Sequence, residues 1–357
     1  MSPSGVVKID LDALARNYQR VREAVAPSDC GAVVKADAYG LGVQPVAQRL
    51  WREGCRQFFV ATLDEGVELR QHLPDAAIHV FEGVAQDAEA AFVAAGLVPV
   101  LNSTEQVERW RATGRPASLH VDTGMTRLGL SKSELDRLVA RPDWRAGLSI
   151  DYLMTHLACA DQAEHALNAL QLKRFQSAQS KLGIERTSLG NSAGALLGPA
   201  YRGDLVRPGI ALYGGNPFAN RPSPVEPVAT LEARVLQLRE IDEPLTVGYG
   251  ATFSVEPRAR LAVLGIGYAD GYPRCLGNRA AAMVQGQRVP VVGRVSMDLT
   301  CIDVSQLGAA AVEVGQYVEL FGPGISIDEV AAAAGTISYE LLTGLGSRLK
   351  RQYIETE

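Results

Sequence analysis

Along the first two-thirds of the chain, short apolar runs rich in β-branched residues alternate with stretches whose apolar positions repeat at helical spacing. A short apolar run predicts a buried strand, and the helical repeat predicts an amphipathic helix packed against it. Strands are predicted over Gly31–Lys35, Gln57–Ala61, Ile78–Glu82, Val98–Leu101, Ser118–Val121, Ser149–Thr155, Thr187–Leu189 and Val206–Leu212. The intervening helices are predicted over Asp64–His72, Gln86–Ala95, Thr104–Ala112, Ser131–Val139 and Glu164–Leu182.

Helix boundaries are indicated by capping residues. Ser131 and Glu134 have the spacing of a capping box, and Thr104 is predicted as an N-cap. The helix stops are predicted at Gly96, Gly114 and Gly183. Regular strand–helix alternation predicts a parallel sheet, and about eight units predict an α/β fold of the (β/α)8 TIM type, although a doubly wound sheet has the same alternation.

The pattern changes at Gly214–Glu226, where glycine, proline and asparagine are dense and predict a linker. Beyond it most apolar runs are strand-like, so the sequence predicts a barrel domain at 1–225 and a mostly-β domain at 226–357. The later strands are predicted over Leu231–Leu238, Leu261–Ile266, Ala282–Val284, Arg288–Val295, Leu299–Val304 and Tyr317–Leu320, and the helices over Ser326–Ala334 and Tyr339–Arg348.

Composition excludes several classes of protein. The 357 residues have a net charge of −5, which disfavours a nucleic-acid binder. The N-terminal residues lack the basic region followed by an apolar core that is typical of a signal peptide. No apolar run is long enough to span a membrane. The cysteines are odd in number and lack a C-x-x-C pair, so reduced thiols in a cytoplasmic protein are expected, without a metal site. These cysteines are Cys30, Cys55, Cys159, Cys275 and Cys301.

Lys35 is the first candidate for chemistry, because it ends a predicted buried strand and is followed by an aromatic residue and two glycines. Burial lowers the pKa of a lysine, and a neutral amine can form a Schiff base with a carbonyl. The glycines allow the next loop to turn tightly against a ligand.

The segment VVKADAYGLG, residues 33–42, closely resembles the cofactor-lysine segment of the bacterial alanine racemases, which are pyridoxal-phosphate (PLP) enzymes. The resemblance extends over nearly the whole chain, and it implies that the first few residues form a strand that joins the second domain. It includes VDTGMTRLG at 121–129, THLACAD at 155–161, SLGNSAG at 188–194, RPGIALYG at 207–214, YGATF at 249–253, GYADGYP at 267–273, GRVSMD at 293–298 and TISYE at 336–340.

The resemblance implies a reaction with two catalytic bases. Lys35 holds PLP and acts on one face of the substrate, and Tyr249, contributed by the partner subunit of a homodimer, acts on the other. Arg207 is implied to lie against the pyridine nitrogen. Because arginine keeps its proton, that nitrogen stays unprotonated, which disfavours side reactions such as transamination.

The resemblance also implies the remaining contacts. His156 lies beneath the cofactor ring and is linked to the catalytic tyrosine. The phosphate side is formed by Tyr39, Asn191, Ser192, Gly209, Ile210 and Tyr339. The substrate side is formed by Arg127, Met297, Tyr268 and Asp298. The amide of Met297 binds the substrate carboxylate, and Tyr268 and Asp298 shape the entrance.

One position departs from the family. Many members have a lysine, often carbamylated, where this chain has His120, and its negative charge orients the arginine that corresponds to Arg127. Histidine provides no comparable anion. Arg127 is therefore expected to use a bound anion or another acidic residue.

The implied function is the interconversion of L- and D-alanine, which supplies D-alanine for peptidoglycan. A related PLP racemase acting on serine or a larger amino acid is the alternative within the class. A PLP-binding protein without catalysis would lack Tyr249 and the second domain, and a Schiff-base aldolase would need neither that domain nor the phosphate turns. Neither a nucleic acid nor a membrane is expected as a partner.

Overall fold

The computed structural model describes residues 3–356, which form two compact units. The barrel unit contains residues 15–212 and 216–225. The strand unit contains the described residues up to Leu14, residues 213–215 and the described residues from Glu226 onward. Each unit has its own sheet and its own apolar core.

The barrel unit is built on seven parallel strands, and consecutive strands along the chain are neighbours in the sheet. This order is what strand–helix alternation predicts. The strands are Ala32–Val33, Gln57–Val60, Ala77–Val80, Val98–Leu101, Pro116–His120, Ser149–Met154 and Thr187–Ser188.

An eighth strand closes the barrel. Leu205–Val206 pairs in parallel with Asp29–Cys30, which precedes the first strand of the sheet. The amide of Gly31 donates to the Val206 carbonyl at 3.0 Å, and the amide of Asp204 donates to the Thr187 carbonyl at 2.8 Å. The eighth strand therefore bonds to the first on one side and to the seventh on the other, and the (β/α)8 fold is confirmed.

Five helices of the barrel unit follow their strands as predicted, with shifted ends. Ser131 and Glu134 form the predicted capping box, and Gly183 has the predicted left-handed conformation at a helix end. The N-cap prediction at Thr104 is wrong, because the Ser103 side chain accepts from the Gln106 amide and caps that helix. The helices are Leu11–Val25, Lys35–Gly40, Val43–Arg52, Leu63–His72, Glu89–Ala94, Thr104–Arg111, Lys132–Val139, Ala166–Leu182 and Ser192–Leu197, with a 3₁₀ turn at Pro199–Tyr201.

The strand unit contains an eight-stranded sheet that is antiparallel except for one pair. In sheet order the strands are Arg260–Leu264, Thr300–Asp303, Gln287–Val292, Ala281–Val284, Tyr317–Phe321, Ala229–Glu240, Gly5–Asp10 and Lys350–Ile354. Arg260–Leu264 also pairs with Ala229–Glu240, so six of the strands form a closed ring. A separate hairpin joins Leu245–Thr246 to Ser254–Val255.

Short helices complete the strand unit. Ser326 caps the first, and Ser338–Thr343 replaces the longer helix predicted over Tyr339–Arg348, which ends early because Gly344 and Gly346 follow. The helical segments are Ile327–Ala334, Ser338–Thr343, and the 3₁₀ turns Tyr268–Asp270, Arg274–Leu276 and Ala309–Ala311.

The apolar side chains of both units are packed inward. Among residues 3–356, no helix is both long enough and apolar enough to cross a membrane. All five cysteines are free thiols.

Candidate active site

A left-handed turn follows Lys35. The strand predicted to end at Lys35 ends two residues earlier, and the residues of Ala36–Tyr39 all have φ between 52° and 57°. Each non-glycine residue in this conformation costs about 1–2 kcal/mol, so the surrounding structure must hold it. The Ala38 amide donates to the Val34 carbonyl at 2.9 Å, and the Val43 amide donates to Asp37 Oδ1 at 2.6 Å.

The Lys35 amine lies half-buried at the start of this turn. Burial is the largest cause that lowers its pKa, and the positive charge of Arg127 lowers it further, whereas the carboxylate of Glu65 raises it. Its Nζ atom lies 5.9 Å from the centroid of the Phe81 ring. The balance leaves an amine that loses its proton more readily than an exposed lysine does.

Arg207 is a buried cation. Its Nη1 donates to Ser188 Oγ, and its Nη2 donates to the carbonyls of Thr155 at 2.7 Å and Leu189 at 3.3 Å. Burial lowers its pKa to about 10, so the guanidinium remains charged at neutral pH. Its Nε is buried and has no partner among the described residues, which leaves one N–H donor for a ligand.

His156 contributes a neutral imidazole. Burial lowers its pKa to about 3, and the charges of Arg207 and Arg127 act in the same direction. Its backbone carbonyl accepts from Gln171 Nε2 at 2.9 Å, which fixes the segment that follows the sixth strand. Of the neutral and positive forms that the sequence allows, the neutral form is therefore the one present near pH 7.

His120 is also neutral, because burial and then Arg207 lower its pKa to about 4. Its Nδ1 lies 2.8 Å from Asn102 Oδ1. The Asn102 Nδ2 donates to the carbonyls of Phe81 and Val100, so the amide oxygen must face the histidine. His120 therefore carries its proton on Nδ1, and Nε2 is an acceptor.

Arg127 lies exposed in the loop after the fifth strand. Asp122 Oδ1 organises this loop by accepting from the amides of Gly124 at 2.8 Å, Met125 at 2.9 Å and Thr126 at 3.1 Å. Within residues 3–356, no carboxylate forms an ion pair with Arg127. Of the two expected partners of Arg127, an acidic residue is therefore not found within the described part of the chain, and the bound anion stays a prediction.

The predicted phosphate turn joins two segments. The Ser192 Oγ accepts from the amides of Gly209 at 2.8 Å and Ala211 at 3.3 Å, so its hydroxyl proton can be donated to a ligand. In this structure the Gly209 amide is therefore engaged by Ser192 Oγ rather than free. Asn191 Oδ1 accepts from the Gly194 amide at 2.9 Å and caps the short helix that Ser192 begins.

Tyr39 meets the same turn. A Cβ atom at Gly209 would overlap the Tyr39 hydroxyl, so only glycine allows this close approach. Ile210 follows within the turn and is fully buried. Tyr39 is therefore in contact with the phosphate turn, although the two are about 170 residues apart along the chain.

The charges of this region suit an anionic ligand. Arg127 and Arg207 are cationic, both nearby histidines are neutral, and Glu65 is the carboxylate whose charge acts on Lys35. A cofactor with a phosphate and a ring nitrogen fits these residues, because Arg207 Nε is a buried unused donor and the turn at Gly209 approaches Tyr39 closely. In the described residues, no cluster of histidine, cysteine or carboxylate side chains could hold a metal ion.

In the strand unit, Tyr249 lies in the loop of the hairpin and is 73% exposed. The glycines on either side, Gly248 and Gly250, have φ of 70° and 75°. A Cβ at Gly250 would lie 2.6 Å from Arg294 Nη1, so the arginine packs against the tyrosine's loop. The loop thus presents the Tyr249 ring to solvent.

Tyr268, Met297 and Asp298 belong to one hydrogen-bonded assembly of the strand unit. The amide of Tyr268 donates to the Ser296 carbonyl at 3.0 Å, and the Ala269 amide donates to the Met297 carbonyl at 3.0 Å. A Cβ at Gly267 would overlap both carbonyls. Tyr268 and Asp298, which are predicted at the entrance, are therefore held beside Met297, which is predicted to bind the substrate carboxylate.

Arg348 reinforces this assembly. Its Nε lies 2.8 Å from Asp270 Oδ1 and its Nη1 lies 2.8 Å from Asp298 Oδ1. The second oxygen of Asp270 accepts from the Gly267 amide at 2.9 Å. Tyr339, predicted on the phosphate side, lies in the helix Ser338–Thr343 and is 37% exposed.

Several residues of this network escape sequence reasoning. Thr155 and Ser188 hold Arg207, Asn102 orients His120, and Arg348 binds Asp298. Thr155 lies inside a motif of the resemblance, which is a signal that could have identified it. The contacts of Asn102 and Arg348 depend on chain segments far apart in sequence, and no local pattern indicates them.

Comparison with known proteins gives one family for the whole chain. The family model described as alanine racemase, N-terminal domain, matches residues 9–217, and the C-terminal domain model matches 228–353. The alanine racemase of Rhodospirillum rubrum is 46% identical over 98% of this chain and 96% of its own length. The biosynthetic alanine racemase of Agrobacterium fabrum is 46% identical over 97% and 93%. A crystal structure of alanine racemase from Bartonella henselae with covalently bound pyridoxal phosphate has a TM-score of 0.94 at 40% identity, covering 99% of this chain and all of that one.

Proposed function

The chain belongs to the alanine racemase family, and from that membership we propose which of its residues carry out the reaction. The activity is the interconversion of L-alanine and D-alanine, and the cofactor is pyridoxal phosphate. The observation that supports the assignment best is that burial lowers the pKa of the Lys35 amine. The charges of Lys35 and Arg207 both act on His156, which is neutral.

Racemisation requires a base on each face of the substrate carbon. When bound, PLP withdraws electrons from that carbon and makes its proton removable. We assign Lys35 Nζ to take or return the proton on one face and the Tyr249 hydroxyl to do so on the other. The lowered pKa of Lys35 supports its part, because a base must be largely deprotonated at working pH.

Arg207 is assigned to the ring nitrogen of the cofactor through its unpartnered Nε–H. Its other contacts hold the guanidinium in one orientation, and its pKa of about 10 keeps it charged. A donor that keeps its proton leaves the ring nitrogen unprotonated and so favours proton return over side reactions. His156 would meet the bound cofactor as a neutral group, and in this proposal it would connect the cofactor site to Tyr249.

The remaining roles concern binding. The phosphate is held by the Ser192 hydroxyl with Tyr39, Asn191, Ile210 and Tyr339, and Gly209 contributes by leaving space rather than by its amide. Arg127 and the Met297 amide bind the substrate carboxylate. Tyr268 and Asp298 shape the entrance through which alanine arrives.

A homodimer is proposed because Tyr249 is exposed on its loop, where another subunit can use it. The barrel domain 1–225 of one subunit would then work with the domain 226–357 of the other. The five free cysteines support a cytoplasmic location, and D-alanine made there would be available for peptidoglycan synthesis.

The test is a chiral assay of the purified protein with PLP. L-alanine should approach an equal mixture of enantiomers, and L-serine in a parallel reaction should give little product. Lys35→Ala should lose the yellow cofactor absorbance and the activity together, whereas Lys132→Ala, at an exposed lysine paired with Asp136, should keep both. Equal turnover of serine would favour the broader racemase instead, and an active Lys35→Ala variant would overturn the assignment of the lysine.

A further inference from the structure

The Glu65 carboxylate connects two separate segments of the barrel unit. Its Oε2 accepts from the amides of Ala61 at 2.7 Å and Thr62 at 3.4 Å, immediately before its own helix. Its Oε1 accepts from the amide of Ala36 at 2.7 Å, 29 residues earlier in the chain. One side chain therefore holds both the start of a helix and the residue that follows Lys35.

Helix capping explains only the first of these contacts. Glu134 forms the same capping box with Ser131, and its carboxylate accepts from the Ser131 amide at 2.8 Å. The hydrogen bonds of the Glu134 carboxylate remain at the start of its own helix. The bond from Ala36 to Glu65 is thus additional to the cap and needs another reason.

That reason lies in the backbone after Lys35. Ala36 is the first of four consecutive left-handed residues, none of which is glycine. A charge-assisted hydrogen bond at its amide offsets part of the conformational cost and fixes the direction in which the chain leaves Lys35. The same turn carries Tyr39 to its contact with Gly209.

The charge of Glu65 also acts on the Lys35 amine. The titratable groups that face Lys35 are Glu65, Arg127 and His156. Glu65 raises the pKa of Lys35, Arg127 lowers it, and His156 is neutral. A carboxylate that holds the turn therefore also opposes the effect of Arg127 on the amine.

We propose that Glu65 is a positioning residue for the cofactor lysine: by binding the Ala36 amide it holds the left-handed turn that sets the Lys35 amine and the Tyr39 hydroxyl for the cofactor. This inference rests on the proposed role of Lys35. Glu65 acts through the backbone and touches neither substrate nor cofactor in the proposal.

The test uses Glu65→Gln with two matched controls. Glu134→Gln removes the carboxylate of the other capping box, and Thr62→Ala weakens the cap of the same helix but leaves Glu65 on Ala36. The first readout is the dissociation constant of PLP for the apoprotein. It should rise roughly tenfold or more in Glu65→Gln, since a hydrogen bond to a charged group is lost, and stay within about twofold of wild type in both controls.

The second readout is the pH dependence of chemical labelling of Lys35 in the apoprotein, followed by peptide mapping. Because Glu65 raises the pKa of Lys35, its neutralisation should move the labelling midpoint to lower pH, and neither control should move it. A Glu65→Gln variant that matches Glu134→Gln in both readouts would show that Glu65 is only a helix cap.

Wild-type protein separates this result from a failure of the proposed function. Borohydride treatment with PLP should trap the cofactor on Lys35 in wild type. If another residue is trapped, the role of Lys35 is wrong. If Lys35 is trapped and the Glu65 variant matches its controls, the lysine assignment stands and the positioning role is wrong.

Discussion

The two units hold their candidate residues in opposite ways. In the barrel unit Arg207, Ser192, Ile210 and Tyr39 are each less than a tenth exposed, and their polar atoms are largely engaged by neighbouring segments. In the strand unit the corresponding candidates Tyr249, Met297, Tyr268 and Tyr339 are all more than a third exposed. The first group is enclosed by its own unit, and the second group is in part open to solvent.

This difference in burial affects the pKa values of the candidate residues. Burial shifts the pKa values of Lys35, His120, His156 and Arg207, so the barrel unit prepares its charges by itself. Tyr249 is largely exposed, so any enclosure of its hydroxyl must come from a further surface. The barrel unit should therefore determine cofactor binding, and the strand unit should determine turnover.

The largest test of that division is Tyr249→Phe. The variant should retain the yellow cofactor and lose about 100- to 10,000-fold in racemisation, as expected for loss of a general base. The loss in kcat/KM should be the same in both directions, because the proton removed at one face must be returned at the other whichever enantiomer the reaction starts from. A chiral assay in both directions measures it. Full activity in both directions would mean that the exposed group takes no part in proton transfer.

An effect on stability should come from the buried histidines of the barrel unit. His79, His120 and His156 have pKa values of about 3, 4 and 3, below the unfolded value near 6.5. Below pH 6.5 the unfolded chain binds protons that the folded chain does not, so stability is full above that pH and falls as the solution is acidified. Each histidine contributes roughly 1.4 kcal/mol per pH unit between about pH 6 and pH 4.

Urea unfolding at pH 7 and pH 5 measures this dependence. His79→Leu should reduce the pH dependence by about a third, since one of three similar groups is removed. The same pH dependence in that variant as in wild type would show that His79 binds a proton equally well in both states. His79 is the suitable choice because no role in the reaction is proposed for it.

The smallest effect should come from Arg348, which tests how firmly the exposed region is organised. Arg348→Ala frees Asp298 and Asp270, and the Michaelis constant for alanine should rise about two- to fivefold with little change in kcat, in line with the value of a half-exposed ion pair. Arg288→Ala is the matched control, because it removes an exposed ion pair with Glu329 from the same unit. Equal kinetics in the two variants would mean that Arg348 does not position the Met297 segment.

Much of the fold follows from local patterns. The parallel strands and most helices of the barrel unit were predictable because apolar runs and helical repeats alternate regularly. Two strands do not follow from local patterns: Gly5–Asp10, which the resemblance alone places in the second domain, and Lys350–Ile354, which has the polar sequence KRQYI of an edge strand. They pair with each other in parallel. The helix Val43–Arg52 was also missed, because it follows a glycine-rich segment that reads as a loop.

In the candidate site, too, local sequence patterns do not predict individual hydrogen bonds and backbone conformations. Lys35 could be predicted as a reactive residue from its strand and its motif. The left-handed turn after it could not, because Ala36–Tyr39 contains no glycine and the conformation depends on bonds from distant residues. Nor does the sequence reveal that the Gly209 amide donates to Ser192 Oγ, since the two residues are 17 positions apart in the chain and only the fold brings them together.

The pairing of the strand Gly5–Asp10 has a consequence for folding during synthesis on the ribosome. Lys8 bonds to Glu232, 224 residues later, and on its other side the strand pairs with Lys350–Ile354. The whole barrel segment is synthesised between these partners and can fold first, while the early strand has emerged with both edges unpaired. Such an edge is a template for aggregation, so the nascent chain is most in need of a chaperone during the interval in which its second unit is still being translated.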